Sequence, residues 1–206
     1  MALNVSLLET KLKQAFQARE WSQWGQDVAN AIDEFVLNGS IITNVTGTVT
    51  PPPPMAPYQA TGTGNYSGTN PKKGSMTTSG LSSLINTLSS RLYDRNLLWA
   101  DVGQIIASAI DDYVKQISIT TEVDGTLVGT GIGNAGCIDT SSTYGTLVSD
   151  LTQTFTSVAF ARNWNDVASN FASSVKSYLL GATIQTTDNG TIPANSWTGS
   201  GVGSFN

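Results

Sequence analysis

The sequence predicts an α+β fold of three tandem helix–helix–strand repeats with Gly/Thr-rich strand ends and loops, and three observations predict it. Three Trp-led segments align without gaps at successive spacings of 78 and 65 residues, from Trp21 to Trp99 to Trp164. Each is preceded by apolar residues four apart, and each is followed by a switch from a helical to a strand-like apolar period.

The first helix of each unit is read from Leu8, Leu12 and Phe16, from Leu84, Leu88 and Leu92, and from Leu147, Leu151 and Phe155. A spacing of four places such residues on one helical face. A connector of variable length leads to the second helix. Its apolar stripe runs through Trp21, Val28, Ile32 and Phe35 in the first unit. The matching residues are Trp99, Ile106, Ile110 and Tyr113, then Trp164, Phe171, Val175 and Tyr178. These twelve are the expected repeat core, with the three tryptophans packing between helices rather than forming a ligand-stacking series. Asp101 and Asp166 fall in the first turn of their helices, where a carboxylate meets the positive end of the helix dipole; Gln23 stands there in the first unit.

Strands follow at Ile41-Thr43-Val45-Gly47-Val49, at Ile117-Ile119-Thr121-Val123-Gly125-Leu127 and at Ile184-Thr186-Asp188-Gly190-Ile192, each alternating with polar neighbours. The Gly inside each strand predicts a bulge or bend. A glycine ladder closes each unit (Gly62-Thr-Gly64, Gly129-Thr-Gly131-Ile-Gly133, Gly199-Ser-Gly201-Val-Gly203), where a second short strand or an ordered loop is expected. One such unit buries too little surface to stand alone, so the three should share a core. Their strands would join one sheet or each cap its own pair of helices. Uncovered Thr/Val-rich strand edges invite a neighbouring chain.

The units occupy residues 1–49, 80–142 and 143–206, separated by a Pro/Gly/Thr-rich loop or arm at 50–79. Five of the seven prolines lie there, at Pro51, Pro52, Pro53, Pro54 and Pro57, which predicts an extended start and an irregular remainder. It reads as a flexible spacer or as an arm that reaches a neighbouring subunit, with Tyr58 and Tyr66 as anchors. A shorter counterpart surrounds Pro193 and Trp197.

Charged residues make up 12% of the chain, about half the usual share, so the surface is covered mainly by Ser, Thr, Asn, Gln and Gly. The net charge is −5 with no basic cluster beyond Lys72-Lys73, which excludes nucleic-acid binding by counterion release. No apolar run is long enough to span a bilayer, and the first residues lack a basic and apolar leader, so no membrane segment or export signal is expected. A single cysteine, Cys137, excludes an intrachain disulfide.

The absence of histidine removes the Ser–His–Asp and Cys–His chemistries and His-ligated zinc. Cys137 has no basic neighbour in sequence to activate it and reads as an incidental small residue. Asp33-Glu34 and Asp111-Asp112 hold equivalent places, replaced by Lys176-Ser177 in the third unit, and read as solvated helix ends. Glu122-Val-Asp124-Gly125 lacks calcium-loop spacing and reads as a surface turn. The glycine ladders lack the Gly-Lys-Ser/Thr ending of a phosphate loop. No enzyme, catalytic residue, cofactor or metal is expected.

The chain resembles small virion structural proteins of tailed bacteriophages. The resemblance is carried by amphipathic helices ending in Thr-rich strands, by Val45-Thr-Gly-Thr-Val-Thr-Pro-Pro52, and by the Gly-Thr-Gly and Gly-Ser-Gly steps. It implies a multi-copy subunit of the capsid surface, neck, tail or baseplate, made in the host cytoplasm, whose partners are itself and other virion proteins. The competing reading is a carbohydrate- or surface-binding module using Tyr58, Tyr66, Tyr144 or Trp197.

Overall fold

A computed structural model describes residues 3–18, 21–69, 71–91, 98–159, 163–192 and 195–206, with the side chains of residues 21 and 22 outside that description. The helices are α1 (Val5–Gln17), α2 (Trp21–Leu37), α3 (Leu81–Arg91), α4 (Trp99–Lys115), α5 (Tyr144–Gln153) and α6 (Trp164–Leu180). The strands are β1 (Ser40–Thr50), β2 (Tyr58–Ser67), β3 (Ser75–Thr78), β4 (Ile117–Gly125), β5 (Gly129–Gly133), β6 (Ile138–Asp139), β7 (Thr183–Ile192) and β8 (Asn195–Phe205). Asn4 caps α1 by accepting from the Leu7 N–H at 3.2 Å, and the Asp101 carboxylate accepts from the Leu98 N–H at 3.2 Å at the start of α4.

Each helix packs on the next in sequence, and α1 packs on α6, so the six close into a ring. The apolar stripes explain the closure: Leu8, Leu12, Leu84, Leu88, Leu147 and Leu151 are all buried, as are Val28, Ile32, Phe35, Ile106, Ile110, Tyr113, Phe171, Val175 and Tyr178. Small residues let the helices approach where they cross. A Cβ on Gly25 would lie 2.6 Å from Ser89 of α3, and one on Gly103 2.5 Å from Thr152 of α5. The third place in that register is Ala168, also buried. After Gln153, α5 continues as a π-helical turn over Thr154–Ala159 that carries Phe155 into the ring interior.

The strands form a closed antiparallel barrel in the order β1, β8, β7, β5, β4, β2 and back to β1, with β3 on the first half of β4 and β6 on the start of β7. Three hairpins, β1–β2, β4–β5 and β7–β8, supply it, each following a pair of helices. Closure corrects the expectation of open strand edges available to a neighbour: β2 pairs with β4 through Gly62–Asn65 and joins the two ends of the sheet. β2 and β3 also correct the reading of 50–79 as an irregular loop or arm, because only the stretch around Pro52–Pro57 lies outside regular strand pairing before Tyr58.

Gly pairs mark the three places where strands of different hairpins meet: Gly47 opposite Gly199, Gly62 opposite Gly125, and Gly129 opposite Gly190. A Cβ on Gly199 would fall 2.6 Å from the Gly47 Cα, and one on Gly190 2.6 Å from the Gly129 Cα. The glycines predicted to bend the strands therefore serve close backbone approach between hairpins. Gly125 alone among the six takes a left-handed φ, +115°, where β4 turns into β5.

Candidate functional site

The barrel interior is layered by strand alternation. Ile41, Ile119 and Ile184 join the apolar core under the helical ring. At the far end Val45, Val49, Val123, Leu127 and Trp197 form a separate apolar plug, in which the Trp197 indole N–H donates to the Val128 carbonyl at 3.0 Å. Between them lies a polar layer of Thr43, Thr121, Thr186 and Asp188, all buried. Thr43, Thr121 and Thr186 each face a glycine of the following strand: Gly64, Gly131 and Gly201. One step on, Val45, Val123 and Asp188 face Gly201, Gly64 and Gly131 of the neighbouring hairpins.

Asp188 is thus a carboxylate where the two matching positions carry valine. It is fully buried, and the Thr186 hydroxyl donates to it at 3.0 and 3.2 Å. Burial pushes its carboxyl above the usual carboxylate range, opposed by the Thr186 hydrogen bond. The hydroxyls of Thr43 and Thr121 are buried without a hydrogen-bond partner. The sequence puts Thr43, Thr121, Thr186 and Asp188 on the apolar face of their strands, but nothing within one strand shows that they meet in one layer. The signal was in the register: these positions are in phase with Ile41, Ile119 and Ile184, which face inward.

A second carboxylate, Asp111, is buried at the base of α4. It accepts from the Thr140 hydroxyl at 2.5 Å, the Tyr178 hydroxyl at 2.7 Å and the Lys115 ammonium at 2.6 Å. Burial pushes its carboxyl up, but the hydrogen bonds from Lys115, Thr140 and Tyr178 together hold it below the usual range. This corrects the reading of Asp111 as part of a solvated helix end. The half-buried Asp33 likewise accepts from the buried Tyr113 hydroxyl at 2.7 Å. Burial above all lifts both tyrosines well past the ordinary phenol range, so they act as donors. Both contacts tie the end of one long helix to the next long helix. At the third place the residues are Lys176 and Phe35, so acceptor and donor are missing together.

Other predicted residues scatter. Trp21 lies outside the described side chains. Trp99 is 40% exposed, which corrects its placement in the core, and Trp164 is half-buried. Trp99 and Trp164 open α4 and α6 at the end of the ring away from the barrel. Trp99 stacks on Phe155 (centroids 6.5 Å apart) and Trp164 on Phe16 (5.8 Å). Tyr66 is no arm anchor: it is 5% exposed and donates to the Leu37 carbonyl at 2.8 Å. Tyr58 begins β2 opposite Val49, and of the four prolines Pro51 is buried while Pro52, Pro53 and Pro54 are exposed. Pro193 lies outside the described residues. The glycan-binding reading loses Tyr66 and Trp197 to burial and keeps only Tyr58 and the half-buried Tyr144.

Burial pushes the Cys137 thiol up, away from the reactive thiolate. Glu122 and Asp124 point outward from β4, where Asp124 pairs with Lys73 at 2.6 Å. Among the described residues no three His, Cys, Asp or Glu side chains group as metal ligands, and no helix is long and apolar enough to cross a membrane.

The outer face of the barrel is chemically distinct. The outward residues of β1, β8, β7 and β5 include Asn44, Gln185, Thr187 and Ser200, with Ile42, Ile132 and Val202 exposed among them, and none is charged. No family model matches this chain, and no curated protein or solved structure is found to be similar to it.

Proposed function

We propose that this chain is a non-enzymatic structural or assembly subunit of a tailed-phage virion, built from three diverged copies of one helix–helix–hairpin unit. The copies are arranged around a pseudo-threefold axis rather than in a line. Thr43, Thr121 and Thr186 keep the same spacings as Gly47, Gly125 and Gly190 on the first strands, and their partners Gly64, Gly131 and Gly201 keep the same spacings as Gly62, Gly129 and Gly199 on the second strands, which supports the repeat.

The observation that carries the structural role is the uncharged outer face of β1, β8, β7 and β5. Charged side chains resist the desolvation of a permanent interface, whereas Thr, Ser, Asn and Gln around exposed Ile42, Ile132 and Val202 can be covered at low cost. The charged side chains lie mostly on the helical ring, which keeps the opposite end hydrated. Contact therefore runs through this face instead of through free strand edges. The half-buried Asp33 and the buried Asp111 hold helices together and do not converge in a cleft, which fits the same role.

Density-gradient sedimentation of particles from the source tests this. Stoichiometric recovery in a particle band is expected, with loss from that band in Val202→Glu while the variant keeps its thermal midpoint. Recovery of the native chain in the soluble fraction alone would overturn the virion reading.

A further inference from the structure

We infer that the barrel interior binds one hard monovalent cation, coordinated by the Asp188 carboxylate and the hydroxyls of Thr43, Thr121 and Thr186.

Three observations carry it. Asp188 is fully buried, and none of the ion pairs found among the described residues (Lys11–Glu34, Lys13–Glu9, Lys73–Asp124, Lys115–Asp111) involves it. An ionised carboxylate inside an apolar barrel is costly without a counter-charge. Second, the Thr43 and Thr121 hydroxyls are fully buried and unpartnered, in the same layer.

Third, glycines make the room that these oxygens occupy side by side in one layer. A Cβ on Gly64 would meet the Thr43 Oγ1 at 2.3 Å and the Thr121 Oγ1 at 3.0 Å. One on Gly131 would meet the Asp188 Oδ1 at 2.1 Å and the Thr121 Oγ1 at 2.4 Å. One on Gly201 would meet the Thr186 Oγ1 at 2.5 Å, the Asp188 Oδ2 at 3.0 Å and the Thr43 Oγ1 at 3.1 Å. Four side chains from three hairpins thus face one small volume near the barrel axis.

The donor set decides the ligand. All donors are oxygens, which suits hard cations and excludes the nitrogen and sulfur preferences of zinc and copper. One carboxylate supplies one negative charge, which balances sodium or potassium; calcium sites usually gather several carboxylates. The apolar plug of Val49, Leu127 and Trp197 shuts the far end of the barrel, so the ion is taken up as the barrel closes and should be felt in stability.

The test is thermal and urea unfolding of the intact chain in choline chloride, replaced stepwise by sodium, potassium or calcium chloride at constant ionic strength. For one site, the unfolding constant should fall about tenfold per tenfold rise in free cation above the dissociation constant. Sodium or potassium is expected to produce this in the native chain and to leave Asp188→Val, which carries the valine of positions 45 and 123, unresponsive. Thr43→Val with Thr121→Val should weaken the response at least tenfold, and it serves as the control if Asp188→Val does not fold. A native chain equally stable in choline and metal salts, as a layer filled by water would be, overturns the inference. So does a response to calcium alone, or an undiminished sodium response in both sets of variants.

Discussion

Two regions of this molecule bury an aspartate, and they treat it in opposite ways. At the base of the helical ring Asp111 receives two hydroxyl donors and an ammonium, and its carboxyl is held below the usual range despite burial. Inside the barrel Asp188 receives one hydroxyl from the protein, and burial lifts it above that range. The difference follows from where each backbone can place donors. Asp111 sits where the end of a helix, the Thr140 turn and a neighbouring helix meet. Asp188 sits on a strand whose inward neighbours are glycines and threonines. The same side chain is therefore a fastener in one region and an enclosed carboxyl short of partners in the other.

The largest effect should come from removing the fastener. Asp111→Ala leaves Tyr178 and Thr140 buried without their acceptor, so a loss of about 2–4 kcal/mol is expected from urea midpoints at constant m. An unchanged midpoint would break the comparison. Asp188→Val should move the other way, stabilising by about 1–3 kcal/mol in choline buffer, because a buried carboxyl short of hydrogen-bond partners gives way to an aliphatic. Destabilisation there would mean that the layer needs its carboxylate even without a cation.

Tyr178→Phe removes one donor and should cost about 1–2 kcal/mol. Acidification sharpens the same point. Because the folded Asp111 carboxyl lies below its ordinary value of 3.8, its contribution is complete above that pH and fades as pH falls through the lower folded value. Thermal midpoints of the native chain should therefore drop more steeply below pH 4 than those of Asp111→Asn. The smallest effect is constructive. Phe35→Tyr combined with Lys176→Asp installs at the third place the contact made by Tyr113–Asp33 and Tyr178–Asp111, for a gain of about 0.5–1.5 kcal/mol. A double-mutant cycle should find the two substitutions coupled, and additivity would show that the third place differs in geometry.

The helices were legible residue by residue, since Leu8, Leu12, Ile32, Ile110 and Val175 repeat at the spacing of one helical face and are buried. The tryptophans misled. Trp99 continues the stripe in sequence, but at the first position of α4 it is partly exposed. Tyr66 looked like part of a Pro-rich arm because Gly, Thr and Asn dominate its neighbourhood; pairing with β1 turns that stretch into a barrel strand. The Asp188 layer stayed hidden for a related reason: each strand's register turns its Thr or Asp inward, but only barrel closure brings those of the three hairpins to one level.

The amino-acid sequence by itself determined the helices, the strands β1, β4 and β7 that follow each pair of them, and the scarcity of charge. Apolar period and glycine placement act over a few residues and need no distant partner. Only the tertiary structure decided that α1 meets α6, that β2 reaches β4 and closes the sheet, and that Asp111 is fastened while Asp188 is enclosed. Those outcomes depend on which distant segments meet, and a strand's unpaired N–H and C=O groups accept any neighbour of the right register until the closed barrel selects one.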